Sequence, residues 1–114
     1  MTETVVGELL AERALDDARF AEAFVAAHAA RGQGPVRIGT QLRTLGIAAE
    51  LIDQALAAAQ DWHQLARAVR RRRFGGALPQ NWAEKGRQAR FLQYRGFSSD
   101  HIRSALGPDI DPDG

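Results

Sequence analysis

The chain has 114 residues, no cysteine, and 15 basic against 14 acidic side chains. Disulfides and thiolate metal sites are therefore excluded, and the length suits one domain or a short array of smaller units. Alanine occurs 21 times while Val, Ile and Thr together occur 14 times, a balance that favours helix over sheet.

No apolar run approaches the roughly 20 residues of a membrane span. The opening Met1, Thr2, Glu3, Thr4 lacks the basic stretch of a signal peptide, so a cytoplasmic protein with no membrane contact is expected. The net charge of +1 hides an asymmetry. Residues 1–60 carry −3, whereas residues 61–106 carry +7. A basic half on a near-neutral chain points to an anionic partner, nucleic acid or an acidic protein surface, with a solvated helix face as the plainer reading.

In chain order, Val5, Val6, Leu9, Leu10 and Ala14 form a helical stripe. Asp16 or Asp17 is placed to cap a second helix, with Phe20, Phe24 and Ala27 on one face. Gly32, Gly34 and Pro35 end it and open the next, which carries Val36, Ile38, Leu42 and Leu45 and stops at Gly46. A helix from about Ala48 follows, with Leu51, Ile52, Ala55 and Leu56. Asp61 then caps a helix bearing Leu65, Ala66 and Val69 that ends near Gly75 and Gly76. Leu78, Pro79 and Gln80 make a loop. The helix from Trp82 to Arg95 holds Ala89, Phe91 and Leu92 and stops at Gly96. Ser98 or Ser99 caps a last helix with Ile102, Ala105 and Leu106, which Gly107 and Pro108 terminate. The acidic tail 108–114 is expected to be disordered.

The second half repeats the first. QLRTLGIAAELIDQAL (41–56) aligns with FLQYRGFSSDHIRSAL (91–106) at an offset of 50 without a gap. The preceding helices align at 45, pairing Asp16 with Asp61, Phe20 with Leu65 and Phe24 with Val69. The difference is an insertion around 76–81. Gly46 and Gly96 each stand between a helix and an apolar residue, where a left-handed glycine turns the chain into the next helix. TVVGELLAE near the start resembles ELIDQALAA, with Val6 on Ile52 and Leu10 on Leu56. The expected architecture is all-α: tandem three-helix repeats stacked into an elongated curved array. Residues 1–14 form the last helix of an incomplete first repeat, 15–60 a second repeat, 61–107 a third, and 108–114 the tail.

Two blocks, LDDARFAEAFVAAHAARGQGPVRIGTQLRTLGI (15–47) and RQARFLQYRGFSSDHIRSAL (87–106), resemble the RecX family, regulators of the RecA recombinase. The leading D-D-x-R-F-A, the R-G-x-G-P-x-R-I loop and the closing R-F-L-x-x-R-G-F-S carry the resemblance, in the family's order and spacing. It implies a non-enzymatic inhibitor that binds the RecA–DNA filament, lies in its groove, and suppresses ATP hydrolysis and strand exchange. Roles in recombination, DNA repair and the SOS response go with it. Family members usually have three such repeats, so apolar surface on residues 1–14 should be exposed, a site for self-association. The implied partners are RecA filaments and, weakly or within the filament, single-stranded DNA. The rival function is a free-standing helical DNA-binding module or transcription regulator, which the spread of basic residues over two helices disfavours.

Basic residues are the candidate contacts. Arg67, Arg70, Arg71, Arg72 and Arg73 form the densest cluster; Arg67, Arg70 and Arg73 share a helix face. Of the five, Arg67, Arg70, Arg71 and Arg73 are the chosen contacts to DNA phosphates or acidic loops, against plain solvation of a helix end. Lys85, Arg87, Arg90, Tyr94 and Arg95 follow on the next helix; Tyr94 is the exposed aromatic, and Phe91 belongs to the core. Arg31, Arg37 and Arg43 flank GQGP, whose backbone amides near Gly34 are candidates for a phosphate. His28, His63 and His101 lack carboxylates at ligand spacing, so neither a metal nor another cofactor is expected. Trp62 and Trp82 read as packing residues. Nothing resembles a catalytic dyad, an activated nucleophile or a phosphate-binding loop, so an enzyme is not expected.

Overall fold

The computed structural model describes the backbone of residues 2–107 and the side chains of residues 5–107. The expected disorder of the acidic tail concerns residues outside that range. Six helices and no strand occur among the described residues: α1 (Thr2–Ala30), α2 (Pro35–Thr44), α3 (Ala49–Ala59), α4 (Trp62–Phe74), α5 (Trp82–Arg95) and α6 (Ser99–Leu106). The molecule is far longer than it is wide.

The pairing of helices repeats. α1 packs chiefly on α3, and α4 chiefly on α6; α2 and α5 each close their own triangle. Small residues allow the close pairs. Ala21 on α1 and Ala55 on α3 are buried, and so are their repeat partners, Ala66 on α4 and Ala105 on α6. Larger aliphatics fill the remaining space. Val25, Ile38, Leu42, Ile52 and Leu92 are fully buried, each worth about 1.5–3 kcal/mol of transfer free energy.

The turns use one device three times. Gly46 N–H donates to Arg43 C=O and Ile47 N–H to Leu42 C=O; Gly96 N–H donates to Gln93 C=O and Phe97 N–H to Leu92 C=O. Both glycines lie at positive φ, +89° and +99°. The buried Ile47 or Phe97 then seals the corner. The end of α1 does the same, with Gly32 N–H on Ala29 C=O and Gln33 N–H on His28 C=O.

Three expectations need correction. No helix break occurs at Asp16 or Asp17: α1 runs without interruption from Thr2 to Ala30. Both aspartates are tolerated inside the helix because neither is buried and each carboxylate can stay hydrated. The buried face of α1 is Ala21, Val25 and Ala29, not Phe20, Phe24 and Ala27; Phe24 is half-buried and Phe20 exposed. Val36 and Leu45 are exposed as well, at the edges of α2 rather than in its core face. The exposed apolar surface expected near the start is present: Val5, Val6, Leu9 and Leu10 are all exposed.

Asp61 caps α4 by accepting from Gln64 N–H, and Asn81 caps α5 through Glu84 N–H. Ser98 caps α6 in a two-way arrangement completed by a histidine. Ser98 Oγ accepts from His101 N–H, while His101 Nδ1 accepts from Ser98 N–H at 3.4 Å. That role needs the neutral imidazole. Burial holds the His101 pKa below its ordinary value, and the neighbouring His63 ring, 4.7 Å away, lowers it further; Asp100 and Asp61 oppose them. Folding thus favours neutral His101. The associated stability is complete above the ordinary histidine range and is lost as pH falls through the lowered folded value. The melting temperature should drop on acidification from neutral more steeply in the wild type than in His101→Gln, which keeps the cap without titrating. Parallel curves would remove His101 from this role.

Candidate nucleic-acid interface

The two three-helix units meet at a pair of glycines. Gly34 N–H donates to Arg95 C=O at 2.8 Å, and Val36 N–H donates to Gly96 C=O at 2.9 Å. The first unit's α1–α2 loop is thus stitched by backbone hydrogen bonds to the second unit's α5–α6 corner. A Cβ on Gly34 would lie 2.5 Å from Gly96 C and O and 2.6 Å from Phe97 N. A Cβ on Gly96 would lie 2.3 Å from Arg37 Cβ. Glycine is required at both positions by backbone contact. This joint also corrects the phosphate reading of GQGP: the Gly34 and Val36 amides are already used between units, and Gly34 is buried.

Beside the joint is a cleft of about 170 Å³ lined by Arg31, Gly32, Val69, Arg72, Arg73, Phe91 and Arg95. Arg31 comes from the end of α1, Arg72 and Arg73 from α4, and Arg95 from α5. Four cations from both units therefore converge with no carboxylate in the lining. The half-buried Phe91 organises them. The guanidinium carbons of Arg73 and Arg95 lie 5.5 and 5.4 Å from its ring centroid, within cation–π range. Phe74 meets Phe91 edge-on at 5.3 Å. Phe74 in turn carries Arg87 at 5.0 Å, and Arg87 is bound by Glu84 at 2.7 Å. The Arg87 guanidinium, then the Gln88 amide, hold the Glu84 carboxyl down at about 2. Glu84 therefore stays ionised at any physiological pH.

On α2 and α5, a second depression is lined by Val36, Arg37, Thr40, Gln41, Gln93, Tyr94 and Gly96. Tyr94 is 77 % exposed, and the Arg37 guanidinium lies 5.9 Å from its ring. In this aromatic–cation pair Tyr94 is open to solvent and Arg37 half-buried. Arg43 and Arg90 are exposed elsewhere on the same two helices. Arg67 and Arg71 share another face of α4, where Arg67 Nη1 donates to Ser104 Oγ of α6 at 2.9 Å.

Two predicted contacts are not on the surface. Arg70 is only 3 % exposed. Its guanidinium donates to Ala77 C=O at 3.2 Å, Gly75 C=O at 3.0 Å, Gly76 C=O at 3.5 Å and Gln88 Oε1 at 3.3 Å. It therefore organises the inserted loop of the second unit and satisfies carbonyls at the end of α4. The shared face of Arg67, Arg70 and Arg73 does not exist as a contact surface. Lys85 is also buried, at 9 % exposure, with its ammonium 5.3 Å from the Trp82 ring. Burial of its long stem removes it from the exposed face of α5. The tryptophans divide: Trp62 is buried and donates to Leu56 C=O at 2.9 Å, whereas Trp82, read as packing, is exposed.

Sequence reasoning left Arg72 outside the chosen set, yet it lines the cleft. The run 70–73 surrounds the helix, and only the positions of α1 and α5 decide which arginines converge. Arg70 could have been found. The offset of 45 puts it on Val25 and Ala66 on Ala21, so the repeat itself assigns Arg70 to the buried face.

Among the described residues no helix is long and apolar enough to cross a membrane, and no group of three or more His, Asp or Glu is placed to hold a metal. Comparison with known families matches both units. The second three-helix domain of RecX matches residues 16–56 and the third matches 59–106. The chain is similar to proteins named Regulatory protein RecX. It is 51 % identical over 102 residues to the one from Halorhodospira halophila, covering 89 % of this chain and 63 % of that protein. It is 40 % identical over 103 residues to the one from Cronobacter sakazakii, covering 90 % and 62 %. With the Pseudomonas fluorescens protein the identity is 41 % over 113 residues, covering 97 % and 73 %. The chain thus spans about three-fifths of the length of the first two relatives. Two consecutive RecX domains, in order, occupy residues 16–56 and 59–106, well over half of the chain, and the chain belongs to the RecX family of regulatory proteins.

Proposed function

We propose that this chain regulates the RecA recombinase: it binds the RecA filament assembled on DNA and lowers its ATP hydrolysis and strand exchange. Recombination, DNA repair and the SOS response, in the cytoplasm, are the processes affected. The observation that carries this reading is the succession of two RecX domains on one elongated body. A narrow rod reaches several subunits along a helical groove, which a sphere of equal volume does not. Exposed cations at the inter-unit joint, Arg31, Arg72 and Arg73, suit a surface that carries DNA and acidic loops.

Co-sedimentation tests it. The chain should pellet with RecA–single-stranded-DNA filaments and stay in the supernatant with the same DNA alone at physiological salt. Strand exchange should slow over the same concentration range. Tight, sequence-selective binding to bare duplex without RecA would instead support a free-standing DNA-binding module.

A further inference from the structure

The cleft at the inter-unit joint is built for one kind of ligand. We infer that Arg31, Arg72, Arg73 and Arg95 bind the phosphodiester backbone of a nucleic-acid strand, which crosses from one three-helix unit to the other beside the Gly34–Gly96 contact. This deepens the RecA–DNA reading, on which its biological setting rests.

Three observations favour a phosphate strand. First, the side chains in the lining offer only donors and apolar surface: four guanidiniums, Val69 and Phe91. A sugar–phosphate backbone presents acceptors and needs no acceptor in return. An acidic peptide would bring backbone N–H groups that these side chains leave unsatisfied. Second, the cations are unanswered within the protein. Among the described residues Arg87 pairs with Glu84 and Arg103 with Asp100, and neither arginine lines the cleft. Bringing four like charges together costs repulsion that an anion removes. Third, the site is pre-organised. Phe91 holds Arg73 and Arg95 over its ring, and Phe74 fixes Phe91 from the edge. Less guanidinium freedom is then lost on binding. With Arg73 and Arg95 already against its ring, Phe91 serves the guanidiniums rather than a base.

The cleft also spans both units. Arg31 follows α1, and Arg95 supplies the carbonyl that Gly34 N–H holds. A phosphate held by Arg31 and Arg95 ties together the segments that the joint ties.

The test is fluorescence anisotropy of an end-labelled oligothymidylate with the full chain, without RecA, over a salt series. Arg31→Glu with Arg72→Glu, both at exposed positions, should weaken binding at least ~10-fold and flatten the slope of log K against log salt by about 1–1.5. Arg103→Glu, on α6 outside the cleft, should stay within about twofold of wild type. Circular dichroism confirms that both variants fold. Equal losses from Arg103→Glu would mean diffuse attraction and overturn the site. So would displacement of the oligonucleotide by polyglutamate as readily as by inorganic polyphosphate, which would make the cleft a carboxylate receptor. Because RecA is absent, these outcomes are independent of whether the chain regulates the filament.

Discussion

Arg70→Ala is expected to destabilise the second unit by about 2–4 kcal/mol, the cost of leaving the buried Gln88 Oε1 and three part-buried carbonyls without their donor. In wild type the guanidinium serves three successive carbonyls, Gly75, Gly76 and Ala77, and Gln88 Oε1. Gln88 is oriented for this because its amide donates to Glu84 at 3.0 Å. The comparison between units explains the arrangement. Where the second unit has Arg70 and Gln88, the first has Val25 and Ile38, both fully buried. The first unit turns from α1 to α2 in a short loop. The second has the longer 75–81 connection, whose first three carbonyls turn toward the buried Arg70 guanidinium and accept from it. A buried arginine is the answer that the insertion required. Arg70→Glu should be worse than Arg70→Ala, since a carboxylate meets only acceptors there. Gln88→Ala alone should cost about 1–2 kcal/mol, and the double variant less than the sum, because the two share one network. Chemical denaturation of the four proteins measures this. An Arg70→Glu chain with wild-type stability would contradict the buried placement.

The second large effect falls on the glycine joint. Gly34→Ala should cost about 3 kcal/mol or more, because the new Cβ meets backbone atoms, which cannot rotate away. Gly96→Ala should be comparable, combining its positive φ with the clash at Arg37 Cβ. Gly46 is the internal control. It shares the left-handed conformation, but open space surrounds its would-be Cβ, so Gly46→Ala should cost only about 1–2 kcal/mol. The stronger Gly46→Val should unsettle the corner further through its branched side chain. Thermal melts rank the series, and small-angle scattering should show a changed radius of gyration for Gly34→Ala and Gly96→Ala but not for Gly46→Ala, since only the first two push the units apart. Equal costs at Gly34 and Gly46 would mean that the units are not held by this contact.

The same glycines show how far the sequence could be read. The L-G-I and R-G-F corners were legible because a helix, a glycine and an apolar residue name the local hydrogen bonds that form. The caps at Asp61 and Ser98 were legible for the same reason, and the repeat followed from aligning these signals. Gly34 was visible as a turn, but not as half of a joint, since its partner lies 62 positions away. Asp16 and Asp17 misled because an exposed aspartate serves equally as a cap or as a surface residue within a helix. The arginine cleft was half legible. Arg31, Arg73 and Arg95 stood out by charge, yet consecutive arginines point all round a helix, and only packing selects Arg72 for the cleft and buries Arg70. Lys85 was misplaced likewise: a single charge in a polar stretch reads as solvent-facing, and only the packing of the second unit buries it.

The central claim is that these two joined units suffice to act on RecA. The most direct measurement is the single-stranded-DNA-dependent ATPase rate of RecA with this chain titrated in. The account predicts a fall at near-equimolar or lower protein, which is lost in Arg31→Glu/Arg72→Glu. An unchanged rate with a chain that melts cooperatively would contradict it.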